Sequence, residues 1–266
     1  MNEAERGQVT GNAAEVYEEF FVPALFQQWA DRVADAASLR PGEHVLDVAC
    51  GTGALTRAVG ARVGASGAAI GLDVNERMLA VARRKAPTLE WRLGRAEALG
   101  FESDRFDAVV SQFGLMFFED RRGALAEMLR VLRRGGRLAV AVWDSLDHTP
   151  GYAAVTLMLQ RLFGDRVADA LRAPFALGDP SALRSLFAAA GIPRATITTV
   201  NGTARFPSIT AWIHTDVKGW TLADMIDDAQ LGRLLDEAEK VLRRFRTADG
   251  SVVFDAPAHI VTATKP

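Results

Sequence analysis

VLDVACGTGALT, residues 45–56, runs from an apolar segment of strand length through Asp47 into a tight turn with Gly51 and Gly53, then into a helix-forming sequence. Glycine at those two places lets a ligand touch the backbone. A nicotinamide-dinucleotide loop of G-x-G-x-x-G spacing would carry a third glycine at position 56, where this chain has Thr56. An aminoacyl group asks for less: a close backbone approach and an acid that favours its ammonium, which Asp47 can supply directly or through water. Taken alone, the stretch is equally well read as a glycine turn beside a strand-end acid.

Outward from it, the chain alternates strand and helix. Residues 43–49 read as a strand and 54–63 as a helix; 68–73 is a strand and 75–86 an amphipathic helix capped by Asn75. Strands at 88–93 and 106–113 follow, then a helix at 123–134 closed by Gly135 and Gly136, and a strand at 137–143. This rhythm predicts a doubly wound parallel sheet. The second half breaks it: helical stretches at 151–163, 180–190 and 208–245 surround a strand-like run at 195–200, and SVVFDAPAHIVTAT (251–264) reads as a hairpin or closing strand. Ahead of the sheet, residues 12–38 carry apolar positions at helical spacing, and Pro23 divides them into two short helices. The expected organisation is a helical lead-in or lid over 1–40 and an α/β domain over 41–266 with a helical, substrate-side insertion at about 206–246.

Asp73 ends the second strand about 20 residues after Gly53, where an acid can accept hydrogen bonds from both hydroxyls of a ribose. It can equally cap the helix that starts near Asn75. With VLDVACGTG, GLDVNERML, GRAEAL (94–99), FDAVVSQFGLMFFED and ALAEMLRVLRRGGRLAVAVW in order, residues 43–143 resemble the class I S-adenosylmethionine-dependent methyltransferases related to the ubiquinone and menaquinone biosynthesis enzymes. The resemblance implies a Rossmann-like, seven-stranded sheet of order 3-2-1-4-5-7-6 with strand 7 antiparallel and the insertion between strands 6 and 7. It implies S-adenosyl-L-methionine as cofactor. By position, Tyr17 and Trp29 of the lead-in, Asp47, Ala49, Gly51 and Gly53 of the loop, Asp73, Val74 and Met78 after the second strand, Ala96 and Glu97, and Ser111, Gln112 and Phe113 would hold it. The related sequences usually read G-D-A-E-A-L, with an acid that accepts from the adenine amino group; this chain has Arg95 there, which puts that hydrogen bond in doubt and leaves Arg95 free to point to solvent.

Methyl transfer from a sulfonium asks the protein for alignment and exclusion of water, and for a base only if the acceptor holds its proton tightly. His148 and His214 are the candidate bases, although a surface or packing role is the commoner one for either. Phe113, Phe117, Trp143 and Trp212, with Phe118 and Trp220, are candidates for an apolar acceptor pocket, against ordinary core packing. The acceptor atom, oxygen, nitrogen or carbon, is open. The 266 residues, 49% hydrophobic, suffice for one large domain, and a net charge of −2 from 31 basic and 33 acidic residues provides no field to draw phosphate backbones. A small-molecule acceptor is expected, with no nucleic acid, no membrane and no metal, and apolar surface on the lead-in and insertion that could pair two copies. The single cysteine, Cys50, and the charged start MNEAER fit a soluble, untargeted cytoplasmic chain. Alternatives are a nicotinamide-dependent oxidoreductase, opposed by Thr56; an S-adenosylmethionine-binding protein that transfers no methyl; and an RNA or protein methyltransferase, opposed by SQFG after the fourth strand.

Overall fold

The apolar run before the glycine turn becomes β1, His44–Val48, buried at every position but the first. In the computed structural model, which describes residues 13–219, 222 and 225–266, it is flanked by β2 (Ala68–Asp73) and β4 (Phe106–Gln112). β3 (Glu90–Leu93) lies beyond β2, and β5 (Leu132–Trp143) beyond β4. β9 (Ala258–Thr264) pairs antiparallel with both β5 and β6 (Thr196–Val200), which completes a seven-stranded sheet of order β3-β2-β1-β4-β5-β9-β6. This is the expected order with the last strand of the chain antiparallel. The strand order reverses between β1 and β4, so the crevice beyond their carboxyl ends is where a ligand can enter an open α/β sheet.

The helices around the sheet follow from local chemistry. α3 (Ala54–Val63) starts directly from the glycine turn; α4 (Glu76–Lys85) is capped by Asn75, whose side chain accepts from the backbone N–H of Arg77 and Met78. α5 (Arg121–Val131) is capped by Asp120 and stops earlier than its sequence suggests. Leu132–Arg134 already belong to β5, and the Gly135–Gly136 pair sits inside that strand, where the register with β4 shifts. The glycines serve a bulge and not a helix end.

Pro23 does not divide the lead-in. α1 (Ala13–Val16) runs into a ten-residue π-helical stretch, Tyr17–Phe26, that contains Pro23 and continues as α2 (Gln27–Ala36). Widening the turn absorbs the missing N–H that would otherwise end the helix. The lead-in is fastened by ion pairs to α3 and α4: Arg57 to Glu18 at 3.1 Å, Arg62 to Asp31 and Asp35 at 2.9 and 2.8 Å, and Arg84 to Glu15. Residues 1–12 of the expected lid, and Trp220, lie outside the described residues.

In the second half α6 (Pro150–Phe163) and α8 (Pro180–Ala189) match expectation, while α7 (Asp165–Arg172) was not foreseen. The long stretch at 208–245 is two helices, α9 (Ile209–Lys218) and α10 (Asp228–Val241); a reciprocal capping box between Asp227 and Gln230 starts the second. The closing segment is not a hairpin with itself. β8 (Val252–Asp255) pairs with β7 (Thr203–Phe206) in a separate two-stranded sheet, and Ala256–Pro257 carry the chain from there into β9.

Candidate functional site

Beyond the carboxyl ends of β1, β2 and β4 lies a cavity of about 330 Å³. Ten of the residues predicted to hold a ligand line it: Tyr17, Ala49, Gly51, Asp73, Val74, Met78, Ala96, Glu97, Gln112 and Phe113. Phe26, Asn75, Arg95 and Glu119, not assigned to that role from sequence, share the wall, as do Phe117 and Phe118 from the expected acceptor pocket. Phe26 was missed because it lies at the end of the π-helical stretch, whose geometry has no local sequence signal. Glu119 lies near the end of FDAVVSQFGLMFFED after an aromatic pair, where nothing in the residue pattern marks it as facing a ligand.

Asp73 is the hub. Its Oδ2 accepts from the backbone N–H of Gly51 and its Oδ1 from that of Asn75, each at 2.8 Å, so one carboxylate fixes the glycine turn and the start of α4 together. Burial pushes its pKa up, and these backbone donors, with Val74's, work against that rise. Each oxygen retains acceptor capacity toward the cavity.

The two glycines divide their work. Gly51 has φ +55, lines the cavity, and a Cβ there would meet nothing within 4 Å. Gly53, at φ +86, lies against the indole of Trp91 on β3, so its missing Cβ makes room for protein. Gly53 is therefore placed by packing, outside the cavity wall. Two non-glycine residues, Ala49 and Phe113, also hold positive φ, 60° and 56°, at the ends of β1 and β4. Such strain, about 1 kcal/mol each or more, collects at ligand clamps. The two turns touch: a Cβ on Gly114 would lie 2.6 Å from that of Ala49.

Asp47, expected near an ammonium, sits behind the turn. It is buried, its Oδ2 takes the Thr56 hydroxyl at 2.6 Å, and this bond accounts for Thr56 at the third-glycine position. Its Oδ1 has no hydrogen-bond partner among the described residues; the same is true of Thr52 Oγ1, Ser111 Oγ and Gln112 Oε1. Four orphaned buried polar atoms at the ends of β1 and β4 would each cost about 1–3 kcal/mol, unless a polar ligand satisfies them. Of that set Gln112 lines the cavity, where a ligand's ammonium can donate to its Oε1.

Burial drives the Asp47 pKa from 3.8 up to about 7, opposed by the Thr56 bond. A carboxyl raised in the folded state stabilises fully below its unfolded pKa, and that stability is lost as pH rises through the folded value. We expect Asp47→Asn to flatten the stability profile between about pH 4 and 7 and to stabilise the ligand-free protein at pH 8, with a ceiling of about 4 kcal/mol. Urea melts at pH 5 and 8 check this; a variant less stable than wild type at pH 8 contradicts it.

The aromatic residues sort into two groups. Phe113 and Trp143 stack with centroids 3.7 Å apart and planes at 5°, Trp29 meets both edge-on, and Phe26 leans on both. Trp29 and Trp143 are buried behind Phe113 and Phe26, so they shape the wall without lining it. Trp212 belongs to another cluster, with Phe206, Phe254 and Tyr152, away from the cavity. Its apolar ring is used by the packing of α9 onto the small sheet, which corrects its assignment to an acceptor pocket.

Neither candidate base lines the cavity. His148 follows β5 with its ring largely in solvent, 3.0 Å from Asp144 Oδ2; that hydrogen bond raises its pKa. His214 is exposed on α9. Ser111 is buried at the end of β4, outside the wall. Arg95 does not simply face solvent: half-exposed, it lines the cavity and pairs with Glu119.

The sequence model of the ubiE/COQ5 methyltransferase family matches residues 17–157. The demethylmenaquinone methyltransferase of Renibacterium salmoninarum is 38% identical over 135 residues, 51% of this chain and 56% of the relative. The ubiquinone/menaquinone biosynthesis C-methyltransferase UbiE of Paraburkholderia phymatum is 38% identical over 155 residues, 54% and 62% of the two chains. The chain thus spans a little over half the length of these curated relatives. A solved structure of a proposed methyltransferase from Bacillus halodurans shares the fold, with a TM-score of 0.61 over 89% of this chain and 98% of that one at 20% identity. Every residue of the cavity wall, from Tyr17 to Glu119, falls within the span matched by the family model, more than half of the sequence. The chain belongs to the ubiE/COQ5 methyltransferase family.

Proposed function

We propose that the chain is an S-adenosylmethionine-dependent methyltransferase acting on a small aromatic acceptor of the quinone class. The carrying observation is Asp73, held between the glycine turn and α4 with its remaining lone pairs toward the cavity. The family and the quinone-directed names of both relatives support the reading. S-adenosylmethionine, when bound, supplies a methyl group on a sulfonium leaving group.

The chain's residues do the rest. Asp73 takes the ribose hydroxyls, Val74 and Met78 give the base an apolar wall, and Gly51 lets the aminoacyl group approach the backbone. Gln112 Oε1, unpaired on the cavity wall, accepts from a donor on the ligand. Tyr17 and Phe26 cover the cavity and exclude water, and Gln112 Nε2, donating to the Phe26 carbonyl at 3.2 Å, ties that cover to the sheet. Phe113, braced by Trp143, offers the acceptor ring a rigid aromatic face.

In the same reading, residues 1–40 act as the lid and about 206–246 as its acceptor-side support, with α9 and β7 packed against the π-helical stretch. A cytoplasmic setting, pairing of two copies and no nucleic-acid partner complete the proposal. Among the described residues, no helix is long and apolar enough to cross a membrane.

The test is incubation with methyl-labelled S-adenosylmethionine and reduced naphthoquinone and benzoquinone acceptors, beside simple phenols and amines. Label in a quinol product supports the reading. Cofactor binding without transfer to any acceptor would leave a binding protein, and the methyltransferase assignment would fall.

A further inference from the structure

We propose that Arg95 meets the edge of the nucleobase and leaves the cavity nearly indifferent between adenine and hypoxanthine, an inference that rests on the cofactor reading above. The backbone at this point is tightly held. Gly94 N–H donates to the Asp73 carbonyl at 2.9 Å, and Ala98 N–H to the Arg95 carbonyl at 3.2 Å. A Cβ on Gly94 would lie 3.0 Å from Leu72 Cδ1, so the chain is pressed onto β2 where it turns into the cavity wall. Arg95 therefore leaves a fixed point one turn from the carboxylate assigned to the ribose.

Its guanidinium runs along the wall. Nη2 is 2.5 Å from Glu119 Oε2 and Nε is 3.6 Å from Glu97 Oε2. Glu97 Oε1 is engaged by the backbone N–H groups of Glu119 at 3.0 Å and Asp120 at 3.5 Å. Glu97 and Glu119 thus have partners already, and the group laid across them can only donate. A carboxylate at position 95 would accept from an exocyclic amino group. A guanidinium there presents N–H groups instead, which suit ring nitrogens or an exocyclic oxygen, while an amino group must compete with Arg95 for Glu119. The wall is consequently a poor discriminator of adenine from hypoxanthine, in which an oxygen replaces the amino group.

Calorimetric titration with S-adenosylhomocysteine and S-inosylhomocysteine tests this on wild type, Arg95→Asp and Glu119→Gln, each confirmed folded by its thermal melt. Wild type is expected to bind the two ligands within about threefold of each other, and Arg95→Asp to shift the ratio toward the adenosyl ligand by roughly tenfold, the worth of one hydrogen bond. Glu119→Gln, which loosens the guanidinium from its partner, moves the ratio toward the inosyl ligand. If both variants keep the wild-type ratio, whatever they lose in overall affinity, Arg95 is structural and the inference is overturned. Folded wild type that binds neither ligand overturns the cofactor reading as well, so the two failures are told apart.

Discussion

Asp73→Ala is expected to weaken binding of S-adenosylmethionine and of S-adenosylhomocysteine by at least about a hundredfold, since two charge-assisted hydrogen bonds to a ribose are together worth about 3 kcal/mol. The loss has a second source. Without the carboxylate, the N–H groups of Gly51 and Asn75 lose their acceptor, and the turn that passes the aminoacyl group is no longer tied to α4. Stability should fall far less than affinity, because removing a buried carboxyl also removes its desolvation cost, the main cause of its raised pKa. Roughly 1–2 kcal/mol in a urea melt is the expected balance. Calorimetry beside the melt separates the effects, and a folded variant with wild-type affinity would remove Asp73 from the site.

Gly53→Ala should destabilise the fold by about 3–4 kcal/mol, the sum of a left-handed backbone imposed on a Cβ and overpacking against the Trp91 indole. Trp91 has little room to retreat. Its indole N–H donates to the Ala86 carbonyl at 3.0 Å, and its ring also covers Gly71, where a Cβ would lie 2.6 Å from two of its atoms. Gly51→Ala makes the contrasting case: its Cβ meets no protein atom within 4 Å, so the melt should shift by about 1 kcal/mol while cofactor affinity drops. Similar melts for the two variants would mean that the glycines do not divide their work in this way.

That division could not be seen in CGTG, where the two glycines look alike; it depends on Trp91, some 40 residues further on. The sheet was legible because β1, β2, β4 and β5 are apolar runs of strand length with helical periodicity between them, and Asp73 because it closes one of those runs. Pro23 misled because the π-helical geometry that tolerates it has no local signal. β7 is only four residues, and its partner β8 is some 50 residues away, so no short-range pattern announces their pairing. Trp212 and Trp143 illustrate the limit for side chains: an aromatic at a plausible place is directed by tertiary packing, and both went to the core. His148 shows the same for charge. Its partner Asp144, also 3.3 Å from the buried His259, holds it away from the cavity in a network that sequence order does not reveal.

The most direct test of the account is a crystal structure of the protein grown with S-adenosylhomocysteine. The account predicts the ligand in the cavity beyond β1, β2 and β4, its ribose hydroxyls within hydrogen-bond reach of Asp73, its aminoacyl group against Gly51 and its base beside Val74 and Arg95. Ligand bound elsewhere, or a cavity that stays empty at millimolar ligand, would contradict it.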